Sequence, residues 1–300
     1  MHAYVVTYTL YEMTLNACLC VCVCAEEAFK GTMKKVPNLG VNYGMVASNL
    51  PRPEDVGRLL AQTTPMGSVK VYTSDTSVLQ AFANTGLSVV AGVPDEDIGM
   101  LASNVAGAAV WVATHIRPVY PSTNIVAIVV GNEVLTAENA SENSTDQLLD
   151  AMENLWKVLQ WSGLSHLCVS TTHSMGVLGN SYPPSSARFQ SRFLPVMKRL
   201  LAFLAASHSP FMSNSYPYFA YKENPDHISL DYALFRPNKG VVDTHTGLTY
   251  TNLFDAILDS AYFALAKLNL SSLPIAVAET GWPYQGDTDA SPDNAATYNS

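Results

Sequence analysis

The sequence predicts an α/β fold, a parallel sheet closing towards a (β/α)8 TIM-type barrel whose eighth β/α unit lies outside this chain. Three observations carry that prediction. From Leu39 onward, short runs rich in Val, Ile and aromatic residues alternate with helix-length amphipathic stretches, the pattern of strands joined by helical crossovers. The turn after the first run, Gly40-Val-Asn-Tyr-Gly44, has neither GxGxxG nor GKS/T spacing, which disfavours a nucleotide-binding open sheet. Polar and aromatic residues recur where the strands end: Asn42 and Tyr43, Tyr72, Asn132 and Glu133, Tyr216 and Glu279. Barrels of this kind build their reactive sites at strand C-termini.

Seven strands are legible in order: Leu39–Tyr43, Val69–Tyr72, Ser88–Val93, Ile125–Gly131, Leu167–Thr171, Phe211–Tyr216 and Ile275–Glu279. Helical patterns fall between them near Pro53–Gln62, Thr76–Asn84, Gly99–Arg117, Thr145–Trp161, Arg188–Ala206 and Asn252–Leu268. In the second of these Val78, Leu79 and Phe82 share one face and can cover the sheet. Ser215 to Tyr250 is the longest irregular stretch; its aromatic content points to a functional loop. A closed barrel needs an eighth strand, and the sequence reaches Ser300 soon after the seventh.

A chain of 300 residues with 48% apolar and 14% charged residues suits one large packed domain, expected over 36–300. Residues 1–35 read as a separate N-terminal segment, signal-like or the product of a faulty gene boundary. Within it, Leu15–Ala25 is a short apolar run ending in small residues, without the positive flank of a standard secretory leader. It is too short for a membrane span, which needs about 20 apolar residues, so none is expected. Sequons at Asn139, Asn143 and Asn269 fit a secreted chain, and an extracellular or cell-wall location is the expectation.

A net charge of −9, with no basic patch, argues against a nucleic-acid partner. Neutral carbohydrate is compatible with that balance. Cys18, Cys20, Cys22 and Cys24 alternate without CxxC spacing, and Cys168 stands alone in the remaining chain, so neither a zinc site nor an internal disulfide of the body is indicated. No HExxH or comparable cluster occurs among the seven histidines, so no metal and no other cofactor is expected. His173, after the fifth strand, is expected to be a hydrogen-bonded structural histidine.

Ile128-Val-Val-Gly-Asn-Glu133 and Ile275-Ala-Val-Ala-Glu279 are apolar strands that each end in a carboxylate, at equivalent heights on one sheet. Cleaving a glycosidic bond with retention needs one carboxylic acid to protonate the leaving oxygen and one carboxylate to attack the anomeric carbon, about 5–5.5 Å apart. Two strand ends facing one barrel mouth can provide that gap. Helix capping or pairing with a surface lysine is the competing explanation for either glutamate alone, and two such ends together weaken it. Tyr43, Tyr216 and Trp282, with Tyr72 and Phe219 behind them, are candidate platforms for the apolar faces of sugar rings.

Leu39-Gly-Val-Asn-Tyr-Gly44, Val130-Gly-Asn-Glu-Val134, Asn214-Ser-Tyr-Pro-Tyr-Phe-Ala-Tyr221 and Glu279-Thr-Gly-Trp-Pro283 resemble the signature segments of the plant glucan endo-1,3-β-glucosidases, glycoside hydrolase family 17. The similarity runs from about residue 39 to 299 and includes Ser229-Leu-Asp-Tyr-Ala-Leu-Phe-Arg236 and Asn294-Ala-Ala-Thr-Tyr-Asn299. The resemblance implies a (β/α)8 barrel, a β-1,3-glucan substrate and a retaining mechanism with Glu133 as acid/base and Glu279 as nucleophile. Glu133 should then start protonated and Glu279 ionised. Asn132 is suited to hydrogen-bond the sugar 2-hydroxyl. A monomer is expected.

Two departures stand beside the resemblance: Thr73 occupies the position where the family usually has Asp, and the family's last strand would lie beyond Ser300. They keep open a catalytically inactive glucan-binding or cell-wall protein. A mixed-linkage 1,3-1,4-β-glucanase is the other alternative.

Overall fold

A computed structural model describes residues 36–47, 50–138, 140 and 142–300. The cysteine-rich segment and Asn139 lie outside the described residues.

Seven parallel strands form one sheet in strict chain order: β1 (Val36–Tyr43), β2 (Met66–Val71), β3 (Ser88–Val93), β4 (Asn124–Asn132), β5 (Cys168–Ser174), β6 (Phe211–Asn214) and β7 (Ile275–Glu279). Parallel neighbours require crossovers, and amphipathic helices supply them. They are α1 (Pro53–Thr63), α2 (Thr76–Gln80), α3 (Asp95–Ser103), α4 (Val105–Trp111), α5 (Glu142–Trp161), α6 (Leu194–Ala206), α7 (Pro217–Glu223), α8 (Leu230–Ala233), α9 (Leu253–Ala266) and α10 (Pro292–Asn299).

Strand alternation divides the core into two layers. Val41, Val69, Val89, Ile128, Val169, Phe211 and Val277 point outward and pack under the helices. Val90, Ala127, Val129, Met212, Ala276 and Ala278 form a separate inner cluster, the filling of a barrel. Asn42 of β1 turns inward and donates from Nδ2 to the main-chain oxygen of Ala278 on β7 at 3.1 Å, so the two outermost strands are tied across the interior. The curl of the sheet is therefore nearly complete with seven strands among the described residues.

Helix boundaries differ from expectation for local reasons. The Gly99–Arg117 pattern is two helices: Asn104 is extended, and its side chain caps α4 by accepting from the Gly107 amide. A turn of π-helix, Val112–Ile116, follows α4. The Arg188–Ala206 pattern also starts later. Arg188–Phe189 pairs antiparallel with Leu178–Asn180, and α6 begins only at Leu194, with Pro195 in its first turn. In the long irregular stretch, α7, α8 and a small ribbon joining Val241–Val242 to Thr249–Tyr250 replace open loop. Asp243 fastens this ribbon to the loop after β5. It is buried, and its carboxylate accepts from both the amide and hydroxyl of Ser185 and from the His245 amide.

Candidate active site

Two register shifts set the site. Along β4, Val129 pairs with Ser170 but Asn132 pairs with Thr172, so one extra residue is inserted before the strand ends. Gly131 absorbs it with φ of 64°, a left-handed value that glycine adopts without penalty. Along β7, Val277 pairs with Ser213 but Glu279 pairs with Asn214. Each bulge reverses the alternation, so that Asn132 and Glu279 turn inward although Val129 and Ala278 already do. Glu133 follows with φ of 56°, unusual for a residue with a side chain. Its amide donates to the Thr172 main-chain oxygen at 3.0 Å, which holds that conformation.

The two glutamates sit in contrasting surroundings. Glu279 is almost buried, and three donors converge on it: Lys70 Nζ (3.0 Å) and Tyr72 OH (2.7 Å) on Oε1, and Tyr216 OH (2.9 Å) on Oε2. Lys70 is inward-facing on β2 and 4% exposed, so its charge is stranded without Glu279. Its ammonium also lies 4.5 Å from the centre of the Tyr72 ring.

Among the described residues the Glu133 carboxyl has one donor, Asn214 Nδ2, at 2.7 Å from Oε1. Burial pushes its carboxyl above the usual range; the Asn214 hydrogen bond opposes this, the Glu279 charge adds to it, and Lys70 offsets part. Asn214 therefore bridges the pair, since it is the register partner of Glu279 and the hydrogen-bond partner of Glu133.

Beside the carboxylates a hollow of about 420 Å³ opens, lined among others by Lys70, Tyr72, Thr73, Asp95, Glu96 and Asn132. A carboxylate held as an acceptor, bridged by Asn214 to a carboxyl group pushed towards its acid form, is the kind of pairing that glycoside hydrolysis uses. A family model, Glycosyl hydrolases family 17, matches residues 39–300.

The chain belongs to that family. Among family 17 relatives, glucan endo-1,3-beta-glucosidase 7 of Arabidopsis thaliana is 43% identical over 267 residues, covering 88% of this chain and 52% of the relative. Glucan endo-1,3-beta-D-glucosidase of Olea europaea is 44% identical over 264 residues, 87% of this chain and 57% of the relative. The chain thus spans little more than half the length of these relatives. A solved structure, described as CJP38, a beta-1,3-glucanase and allergen of Cryptomeria japonica pollen, superposes with a TM-score of 0.82 at 42% identity, over 87% of this chain and 80% of that one.

Within this family 17 site, the expected aromatic residues divide. Tyr72 and Tyr216 are brought to Glu279, where their hydroxyls donate to its carboxylate. Phe219 is 54% exposed and stands edge-on to Tyr216 with ring centres 5.4 Å apart, available as a platform.

Tyr43 is not so placed. It alternates with inward Asn42, so its ring points outward into the helix layer, 1% exposed, against Phe82, with its hydroxyl on the Pro51 oxygen. Trp282 is not at the cleft either. It is 4% exposed among Tyr218, Tyr221 and Tyr298, and its indole N–H donates to the Asp289 oxygen, so it supports the floor of the loop layer and presents no face to the cleft.

His173 likewise faces outward from β5, stacked on Phe211 at 5.0 Å. It is not hydrogen-bonded, contrary to expectation: both ring nitrogens are buried without a partner among the described residues, and burial pushes its pKa down to about 4.

Lys70, Asn214 and Thr172 escaped the sequence reading as site residues. Lys70 did leave a signal, because a lysine inside the otherwise apolar run Val69-Lys-Val71 of a buried parallel strand needs a partner. Among the described residues no group of three or more His, Cys, Asp or Glu is placed to hold a metal ion.

Proposed function

We propose that residues 36–300 form the catalytic unit of a retaining endo-hydrolase of (1→3)-β-D-glucosidic linkages in β-1,3-glucan. The observation that carries this reading is the asymmetry of the two carboxyl groups: Glu279 accepts from three donors, whereas burial pushes Glu133 upward. In the first step a Glu279 oxygen attacks the anomeric carbon while the glycosidic C–O bond breaks. The proton of Glu133 goes to the leaving oxygen, and a glycosyl ester of Glu279 remains. In the second step Glu133, now a carboxylate, takes a proton from water. The resulting hydroxide attacks the same carbon, the ester C–O bond breaks, and Glu279 is released unchanged.

Lys70, Tyr72 and Tyr216 keep the Glu279 carboxylate oriented towards that carbon. Asn132 donates to the 2-hydroxyl, and Phe219 lies under a neighbouring sugar ring. The relatives described above, glucan endo-1,3-beta-glucosidases, support the linkage assigned here.

The test is digestion of laminarin, with the anomeric configuration of the first product read by proton NMR. Short oligosaccharides released in the β-configuration are expected. Binding without release would instead identify an inactive glucan-binding protein, and faster cleavage of barley mixed-linkage glucan would reassign the linkage. No helix among the described residues is long and apolar enough to cross a membrane. The exposed sequon at Asn269, just beyond α9, supports a secreted protein, and its occupancy by glycan is checked by mass spectrometry.

A further inference from the structure

We propose that Thr172 is a positioning residue that fixes which end of the Asn132 amide meets the substrate, and so sets recognition of the sugar 2-hydroxyl; this rests on the reading of Glu133 and Glu279 given above. Thr172 is fully buried and inward-facing on β5, the register partner of Asn132 after the β4 bulge. It holds the strand end twice. Its main-chain oxygen accepts from the Glu133 amide at 3.0 Å, and its hydroxyl donates to Asn132 Oδ1 at 2.7 Å.

A second donor converges on the same oxygen: Asn214 Nδ2, 3.4 Å from Asn132 Oδ1 and 2.7 Å from Glu133 Oε1. Reversing the Asn132 amide would set its NH2 against the NH2 of Asn214, two donors with no acceptor between them. The amide is therefore locked with its oxygen towards the protein and its Nδ2 donor left for the ligand. A 2-hydroxyl that accepts from Nδ2 keeps its own proton turned towards the Glu279 carboxylate, and that donation strengthens as positive charge develops on the ring, so the lock acts on the rate step more than on binding.

Thr172→Val keeps the shape and the main-chain oxygen and deletes only the hydroxyl. The experiment measures kcat and KM of the full chain and of Thr172→Val, Thr172→Ser, Asn132→Ala and Thr172→Val/Asn132→Ala. The substrates are an aryl β-laminaribioside and its analogue lacking the 2-hydroxyl on the reacting sugar. On the first substrate Thr172→Val should lower kcat about 10-fold with KM little changed, and Thr172→Ser should restore it to within about 3-fold.

On the 2-deoxy substrate the gap between wild type and Thr172→Val should close, and in the double variant the valine should add no further loss. Equal losses on both substrates, additive losses in the double variant, or a serine variant no better than valine would overturn the inference while leaving the proposed function intact. A wild-type chain that cleaves neither substrate overturns the proposed function and this inference with it.

Discussion

Asn214 links the two carboxyl groups of the proposed site. It touches Glu133 through Nδ2 and lies in register with Glu279, yet its own Oδ1 is buried without a hydrogen-bond partner. Its hydrogen bond lowers the pKa of Glu133 against the upward push of burial. Removing that bond raises the pKa further, and the acid form then persists to higher pH. Asn214→Ala should therefore shift the alkaline limb of the kcat profile on laminarin upward in pH while lowering its plateau. A limb that stays in place or moves down would show that Asn214 does not act on Glu133.

At this scale the sequence was partly readable. Glu133 and Glu279 stand at the ends of apolar runs and could be singled out as candidates from the sequence. Tyr43 and Trp282 do not, because side-chain direction depends on alternation and loop packing that spacing alone cannot resolve. Asn214 and Thr172 are ordinary polar residues whose roles exist only through partners 81 and 40 positions away.

The two bulged strand ends are the elements that convert a barrel wall into a site. The β4 bulge depends on Gly131. A Cβ there would sit 2.5 Å from Val134 Cγ2 and 3.0 Å from both Asp95 Oδ1 and Ile98 Cδ1, at a φ of 64° that other residues resist. Gly131→Ala should thus cost about 1–3 kcal/mol of stability, read as a lowered urea midpoint. It should also lower kcat at least 10-fold at temperatures where the variant remains folded, because a displacement of about 1 Å at a reacting group is expensive. Unchanged kcat would separate the bulge from the reaction.

Elements were also what the sequence revealed best. All seven strands of the sheet were legible, because a parallel sheet covered on both faces leaves continuous apolar runs. The bulges were not, since one inserted residue alters register without altering composition. The late start of α6 escaped for a related reason: Arg188–Phe189 pairs with a partner strand that helical periodicity ignores.

Across the whole molecule, the interior carries a titratable group that the reaction does not use. His173 is buried against Phe211 between sheet and helices, and burial holds its pKa at about 4, below the unfolded value of about 6.5. The neutral form is favoured in the fold, so its contribution is fully present above the unfolded value and is lost as pH falls from about 6.5 towards 4. The slope is at most about 1.4 kcal/mol per pH unit in that window. His173→Phe retains a ring against Phe211 and removes the titration, so its melting temperature should vary less between pH 4 and 6.5 than that of the wild type. Parallel curves for the two proteins would mean that other groups govern acid stability. The sequence suggested a structural histidine here, but hydrogen bonding to it was the wrong expectation, because the ring is stacked on Phe211 and neither nitrogen meets a partner among the described residues.

The proposed retaining reaction requires Glu279 to form a covalent bond to the sugar. The most direct measurement incubates the protein with a 2-deoxy-2-fluoro β-laminaribiosyl fluoride, whose fluorine slows hydrolysis of the glycosyl ester, and then maps the label by peptide mass spectrometry. One fluoroglycosyl group per active chain is expected, attached to Glu279 within the peptide containing Ala278-Glu279-Thr280, with activity lost in step. A label on another residue, or steady turnover with inverted product and no adduct, would contradict it.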